Sequence, residues 1–197
     1  MSLQGTTEWF KARLGKWSAS NLDALLVKGK DESTLGAAAI SLCYEKLAER
    51  MSDEPRQITS QFMEWGNEHE SDAIELFSQA TGMVVEECGF IPFDEISGGS
   101  PDGLIPSEDA IIEVKSPHDP ANHLYAMIHK DIPKASKKKY MAQMQWNMAC
   151  TDAKHCYFIS YDPRFSDVSK KIVIIKYERD EDAINNIKER ILVAEKY

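Results

Sequence analysis

Hydrophobic positions recur along this chain with two periods. Spacings of three and four residues mark helices, and strict alternation marks strands. Residues 18–27, SASNLDALLV, read as a short helix opened by a serine or asparagine cap, and 34–51, TLGAAAISLCYEKLAERM, as a longer helix of strong formers. Residues 59–82 form a third helical pattern, with Thr59 or Ser60 as the cap and Gly82 just past its end. VVEECGFIPF (84–93) predicts a strand, SGGSPDG (97–103) a turn, and AIIEVK (110–115) a half-buried strand. A helix over 134–151, strands over 154–162 and 170–179, and an amphipathic helix over 180–197 complete the pattern. This order predicts an α+β chain, an α/β sandwich with a central mixed β-sheet flanked by helices. No repeat or low-complexity linker interrupts it, so residues 1–197 read as one domain, helical over about 1–82.

Composition narrows the class. With 43% hydrophobic and 28% charged residues the chain is globular rather than disordered. Its longest apolar runs, such as IVII at 172–175, are far too short to span a bilayer, and no membrane association is expected. The first 17 residues lack the apolar core of a signal peptide. Cys43, Cys88, Cys150 and Cys156 show no CxxC or metal-finger spacing, and fit thiols in a bacterial or phage-infected cytoplasm. The net charge of −9 argues against nucleic acid until its distribution is considered. Residues 1–30 carry Lys11, Arg13, Lys16, Lys28 and Lys30 against Glu8 and Asp23, a local +3; residues 130–139 carry five lysines against Asp131, a local +4. Two basic segments flanking an acidic middle suit a phosphate track leading to a carboxylate site, although a pair of solvated charged surfaces has the same composition.

The acidic middle holds the candidate chemistry. In AIIEVK, alternation puts Ala110, Ile112 and Val114 on one face and Ile111, Glu113 and Lys115 on the other. If 104–109 closes a hairpin, Asp102 lies across from Glu113. Two neighbouring carboxylates repel, and their pairing is costly unless a cation sits between them. Oxygen donors without a nearby histidine favour Mg2+ or Mn2+, and the backbone carbonyl of Val114 can add a further oxygen. Lys115 can then orient or deprotonate a water, or stabilise charge on a phosphoryl group. Taken alone, Glu-x-Lys is common on surface hairpins. Pro101-Asp102, ten residues, then Glu113-Val114-Lys115 is far more specific, and it is the PD-(D/E)xK nuclease signature.

Upstream, Glu70 shares a helical face with Ala73, Ile74 and Phe77, so it is a carboxylate on an inward face that needs a partner: a metal shared with Asp102 and Glu113, or a buried cation. Glu68 falls on the wet side and His69 points elsewhere. On the helix over 134–151, Tyr140, Met141, Met144 and Met148 make a core stripe, with Gln143 beside Asn147 at one border and Gln145 at the other. An amide at such a border suits a phosphate or a catalytic water.

Together, WFKARLGKWSASN, WGNEHESDA, SPDGL…IIEVKSP and YMAQMQWNMACT, followed by YFISYDPR, resemble the lambda-type exonuclease branch of the PD-(D/E)xK nucleases, the YqaJ-like viral recombinase family, from Trp9 to Arg164. The resemblance implies that Asp102 and Glu113 bind metal, that Lys115 is the catalytic lysine, and that Glu70 and Gln143 assist from two helices. It further implies that Arg13 and Ser20 hold the 5′-terminal phosphate of the substrate, and that Met63 stands where an apolar wedge meets the duplex end. The implied activity is 5′→3′ digestion of one strand of linear double-stranded DNA, with Mg2+ or Mn2+, releasing mononucleotides and leaving a 3′ overhang. The implied partners are double-stranded DNA ends, a homotrimer ring around the DNA and a single-strand annealing protein in phage-type recombination. Trp17 departs from the family, standing where a smaller aliphatic residue is expected. Two alternatives remain: a site-specific endonuclease of the same superfamily, and a non-catalytic DNA-binding scaffold, against which the intact Asp102–Glu113–Lys115 set argues. No phosphate-cradling Gly-x-x-x-x-Gly-Lys loop is present to suggest an NTP motor.

Overall fold

A computed structural model describes residues 4–31, 34–52, 54 and 61–197. The expected caps Thr59 and Ser60 lie outside these. In chain order the elements are α1 (Thr7–Arg13), β1 (Trp17–Ser18), a 3-10 turn (Ala19–Ala24), α2 (Ala37–Ser52), α3 (Gln61–Thr81), β2 (Ile91–Pro92), β3 (Ser97–Gly99), β4 (Gly103–Ile105), β5 (Ala110–Lys115), α4 (Pro120–His129), α5 (Lys134–Thr151), β6 (His155–Tyr161), β7 (Ile172–Glu178) and α6 (Glu181–Lys196). Strands β4–β5–β6–β7 form a mixed sheet in which only the β5–β6 pair is parallel. That parallel step needs a long crossover, and α4 and α5 supply it. A second, smaller sheet has the order β1–β3–β2.

The mixed sheet is covered on both faces. Ala73 and Phe77 of α3 pack with Ala110, Ile112, Val114, Tyr157 and Ile159 on one side. Met144 and Met148 of α5 pack with Ile111, Cys156 and Phe158 on the other. Strand β5 is therefore buried from Ala110 to Val114 rather than half-buried, because a central strand beside a parallel neighbour has a helix on each face. Helix α5 is itself buried on all sides over residues 142–148, since Ala142 and Trp146 join Trp17, Leu22, Leu42 and Ile187 in a third apolar cluster. The single core stripe expected for that helix is one of two.

Other expectations are corrected. Within 84–93 only Ile91–Pro92 forms a strand; Glu86 makes an isolated bridge to Leu104, and Val84 is exposed. The stretch expected as a turn holds the buried strand β3, between β1 and β2. Its glycines permit close packing, for a Cβ on Gly98 would stand 2.3 Å from the Phe90 ring. Helix α4 is an element the pattern did not predict, although Asp119 caps it by accepting the Ala121 N–H and Pro120 opens it. Gly82 does end α3 at a positive φ of 75°. Trp17 fills the third cluster, and its indole N–H donates to Glu195 at 2.6 Å.

Candidate active site

The β4–β5 hairpin delivers the first groups. Gly103 pairs with Ile112, so Asp102, one residue further out, faces Glu113. Asp102 is held twice: its N–H donates to the Ile112 carbonyl at 3.2 Å, and its Oδ2 accepts the Val114 N–H at 2.6 Å. Lys115 is ion-paired through Nζ with Oε1 of Glu113 and lies 5.3 Å above the Tyr140 ring. Helix α3 turns Glu70 toward these groups from the face that buries Ala73 and Phe77. Helix α5 contributes Gln143 and, one turn on, Asn147, whose Nδ2 donates to Oε2 of Glu113 at 3.2 Å. Glu70, Asp102, Val114, Lys115, Tyr140 and Gln143 line one cleft of about 740 Å³, with Glu113 fully buried beneath it. In the sequence Asn147 stands out only as a neighbour of Gln143, and its polarity at i+4 from that glutamine is the signal for an inward role.

The electrostatics follow from this crowding. Burial, with repulsion from Asp102 and Glu113 against the opposing pull of Lys115, pushes Glu70 up to about 8. Burial also raises Asp102, although Lys115 and the Val114 N–H favour its ionised form. Glu113 is raised because its desolvation outweighs the Lys115 ammonium and the Asn147 amide. Burial alone would lower Lys115, but Glu113 and Asp102 together outweigh it and hold the ammonium above its ordinary range. As an ammonium, Lys115 can orient a water or stabilise charge.

With all four groups ionised, three carboxylates surround one ammonium, an excess of two negative charges. Among the described residues no group of three or more His, Cys, Asp or Glu side chains is arranged to hold a metal ion. Two carboxylates, Asp102 and Glu113, with Val114 and Glu70 at the same cleft, are donors of the kind that would suit a cation keeping its own waters. Mg2+ is commonly held through one or two carboxylates with several waters retained.

Elsewhere on the cleft wall stands Arg13, at the end of α1. Its Nη2 donates to Ser18 Oγ at 3.2 Å and Ser20 Oγ at 3.3 Å, and its guanidinium lies 4.0 Å over the Trp9 ring. Burial lowers its pKa to about 10, with Glu49 opposing, so it remains cationic at neutral pH. Ser18 does not cap a helix over 18–27: it is buried on β1 ahead of the 3-10 turn, makes no side-chain cap hydrogen bond, and gives Arg13 a second hydroxyl instead. Met63, half-exposed on α3, lines the same cleft. The two basic segments also meet, since Lys138 donates to the Leu26 carbonyl at 3.3 Å, and Lys139 reaches the cleft.

Residues 8–154 match the model of the YqaJ-like viral recombinase domain. The chain belongs to that family. Among solved structures, this YqaJ-like chain is similar to LHK-Exo, an alkaline exonuclease from Laribacter hongkongensis, at 31% identity over 96% of this chain and 90% of that one, with a TM-score of 0.82. LHK-Exo in complex with dAMP matches with the same identity and coverage at a TM-score of 0.83. A phage-related exonuclease from Haemophilus somnus 129PT shares the fold, with 23% identity, 92% of each chain covered and a TM-score of 0.77. No curated protein matches the chain. No helix among the described residues is long and apolar enough to cross a membrane.

Proposed function

We propose that this YqaJ-like protein is a Mg2+-dependent deoxyribonuclease that digests linear duplex DNA 5′→3′, releases mononucleotides and leaves a 3′ single strand for annealing. The observation that carries this reading is the convergence of Asp102, Glu113 and Lys115 under a cleft whose wall also bears Arg13, Ser18 and Ser20. Kinship with LHK-Exo supports it.

Asp102, Glu113 and the Val114 carbonyl would hold the cation, with Glu70 assisting. A divalent ion there supplies Lewis acidity for the phosphoryl oxygen and for the attacking water. Lys115 donates a hydrogen bond and positive charge to the reacting phosphate, and Gln143 offers an amide at the cleft surface. Arg13, braced by Trp9, presents its guanidinium with the two serine hydroxyls to a 5′-terminal phosphate, a pairing favoured by charge-assisted hydrogen bonds. Held there, the strand end sets the distance from terminus to scissile bond. Met63 meets the end of the duplex as a wedge.

The reading takes residues 1–197 as one domain, working in a bacterial or phage-infected cytoplasm as a homotrimer ring with a single-strand annealing protein. A ring reconciles the net −9 with DNA, because basic residues need only line its channel. End-labelled linear duplex, with 5′-phosphate or 5′-hydroxyl termini, is incubated with Mg2+ or EDTA. Mononucleotides released from phosphorylated ends, with metal only, are expected. Cleavage of closed circles at comparable rate would favour the endonuclease alternative, and metal-independent digestion would overturn the mechanism.

A further inference from the structure

We propose that Asn147 is the positioning residue for Glu113, and that Gly99 holds Asn147 in the orientation this needs. The inference rests on the nuclease reading above. Asn147 is fully buried and aims Nδ2 at Oε2 of Glu113, 3.2 Å away, while Lys115 takes Oε1 of the same carboxylate. Donors from two different elements thus fix both oxygens, and with them the plane of the carboxylate offered to a cation.

The other half of the amide is informative. Oδ1 of Asn147 is buried without a hydrogen-bond partner. It lies against Gly99, where a Cβ would stand 2.3 Å from Oδ1 and 3.4 Å from the Asn147 Cα. Turning the amide over would aim its oxygen at the Glu113 carboxylate, oxygen against oxygen, so the charge of Glu113 selects the orientation observed. A buried acceptor left unpaired costs stability. An apolar side chain of similar size would pack in the same space without that cost, so packing alone does not account for an amide here. Its distinctive contribution is the N–H directed at Glu113.

Gly99 sits on β3, whose ladder with β1 pairs Ser18 with Gly98. The strand pair that backs Asn147 therefore also carries Ser18, a hydrogen-bond partner of Arg13. The support of the carboxylate and that of the phosphate-binding arginine share one rigid element.

Groups that orient a metal ligand affect metal affinity by about 10- to 100-fold. Asn147→Leu is expected to weaken Mn2+ binding, measured by calorimetry without DNA, by about tenfold or more and to lower kcat, with KM for duplex ends unchanged. Gly99→Ala is expected to do the same by displacing the amide. In an Asn147→Ala background, where the space is vacated, Gly99→Ala should add little, a non-additivity that marks coupling through one side chain. Should Asn147→Leu fail to fold by circular dichroism, Asn147→Ala and Gly99→Ala carry the test. A folded Asn147 variant with wild-type Mn2+ affinity and kcat, or strictly additive losses in the pair, overturns the inference and leaves the nuclease reading intact. A wild type that neither binds Mn2+ nor digests duplex sinks that reading, and this inference with it.

Discussion

On one part of the cleft wall, three carboxylates crowd around a single ammonium; on another, a guanidinium sits among two hydroxyls and an indole ring. Both regions are partly desolvated, and each is incomplete in the opposite sense. The acidic region holds more negative charge than Lys115 can balance, and burial, reinforced by repulsion from Asp102 and Glu113, lifts Glu70 to about 8. At Arg13 the hydrogen-bond partners are neutral, and the carboxylate acting on it from a distance, Glu49, is already engaged by Lys46 at 2.8 Å and the Gly15 N–H at 3.1 Å. In a low-dielectric cleft, such imbalance favours whichever ligand supplies the missing sign. One region favours a cation and the other an anion. On the function proposed above, a metal ion beside a DNA terminus would meet both demands at once.

Removing the acidic region's chemistry should have the largest effect. Lys115→Ala and Glu113→Gln are each expected to lower cleavage of linear duplex by at least about 100- to 1,000-fold, the scale of losing one transition-state stabiliser. DNA binding by gel shift should persist; wild-type digestion by Lys115→Ala would remove its assignment. Next in size is Arg13→Ala. Losing a hydrogen bond to a charged group, about 1.5–3 kcal/mol, should reduce the preference for 5′-phosphate over 5′-hydroxyl ends by about 10- to 100-fold. An unchanged preference would place phosphate recognition elsewhere.

Glu70 sharpens the comparison through pH. Its folded pKa, about 8, lies above the ordinary 4.5, so the folded state holds the proton more tightly than the unfolded state does. Stability from this group is full below the ordinary value and is lost as pH rises toward about 8. Without metal, the melting temperature of Glu70→Gln should therefore gain on that of wild type over this range. Added Mg2+ should shrink the difference, and a gap independent of pH would show that Glu70 is neither desolvated nor crowded by its neighbours. Met63→Ala should be the mildest change, slowing digestion of blunt ends a few-fold while sparing ends already frayed.

How far each region could be read beforehand depended on sequence distance. Glu113 and Lys115 share a face because strand alternation is local, and Glu70 points inward because Ala73 and Phe77 do. Asp102 could be set across from Glu113 once a short hairpin was assumed. Helix α4 was within reach as well, since Asp119-Pro120 is a strong start signal. The bond from Asn147 to Glu113 spans 34 residues and exists only because α5 lies across β5. The hydroxyl of Ser18 lies close to Arg13 in sequence, yet its inward direction depends on β1 pairing with β3. Glycines 98 and 99, which suggest a turn in isolation, form a strand because two neighbouring strands and close packing claim them.

The amino-acid sequence by itself determined which functional groups the chain possesses and how those within a few residues face one another, because backbone periodicity leaves such neighbours little freedom. Which distant groups meet was decided only by tertiary packing. The covering of β5 on both sides, the burial of α5 all round and the shared cleft for carboxylates and guanidinium arise when apolar clusters close around α5 and between α3 and the sheet. Side-chain chemistry is a property of each residue, whereas desolvation and charge balance are properties of the whole arrangement.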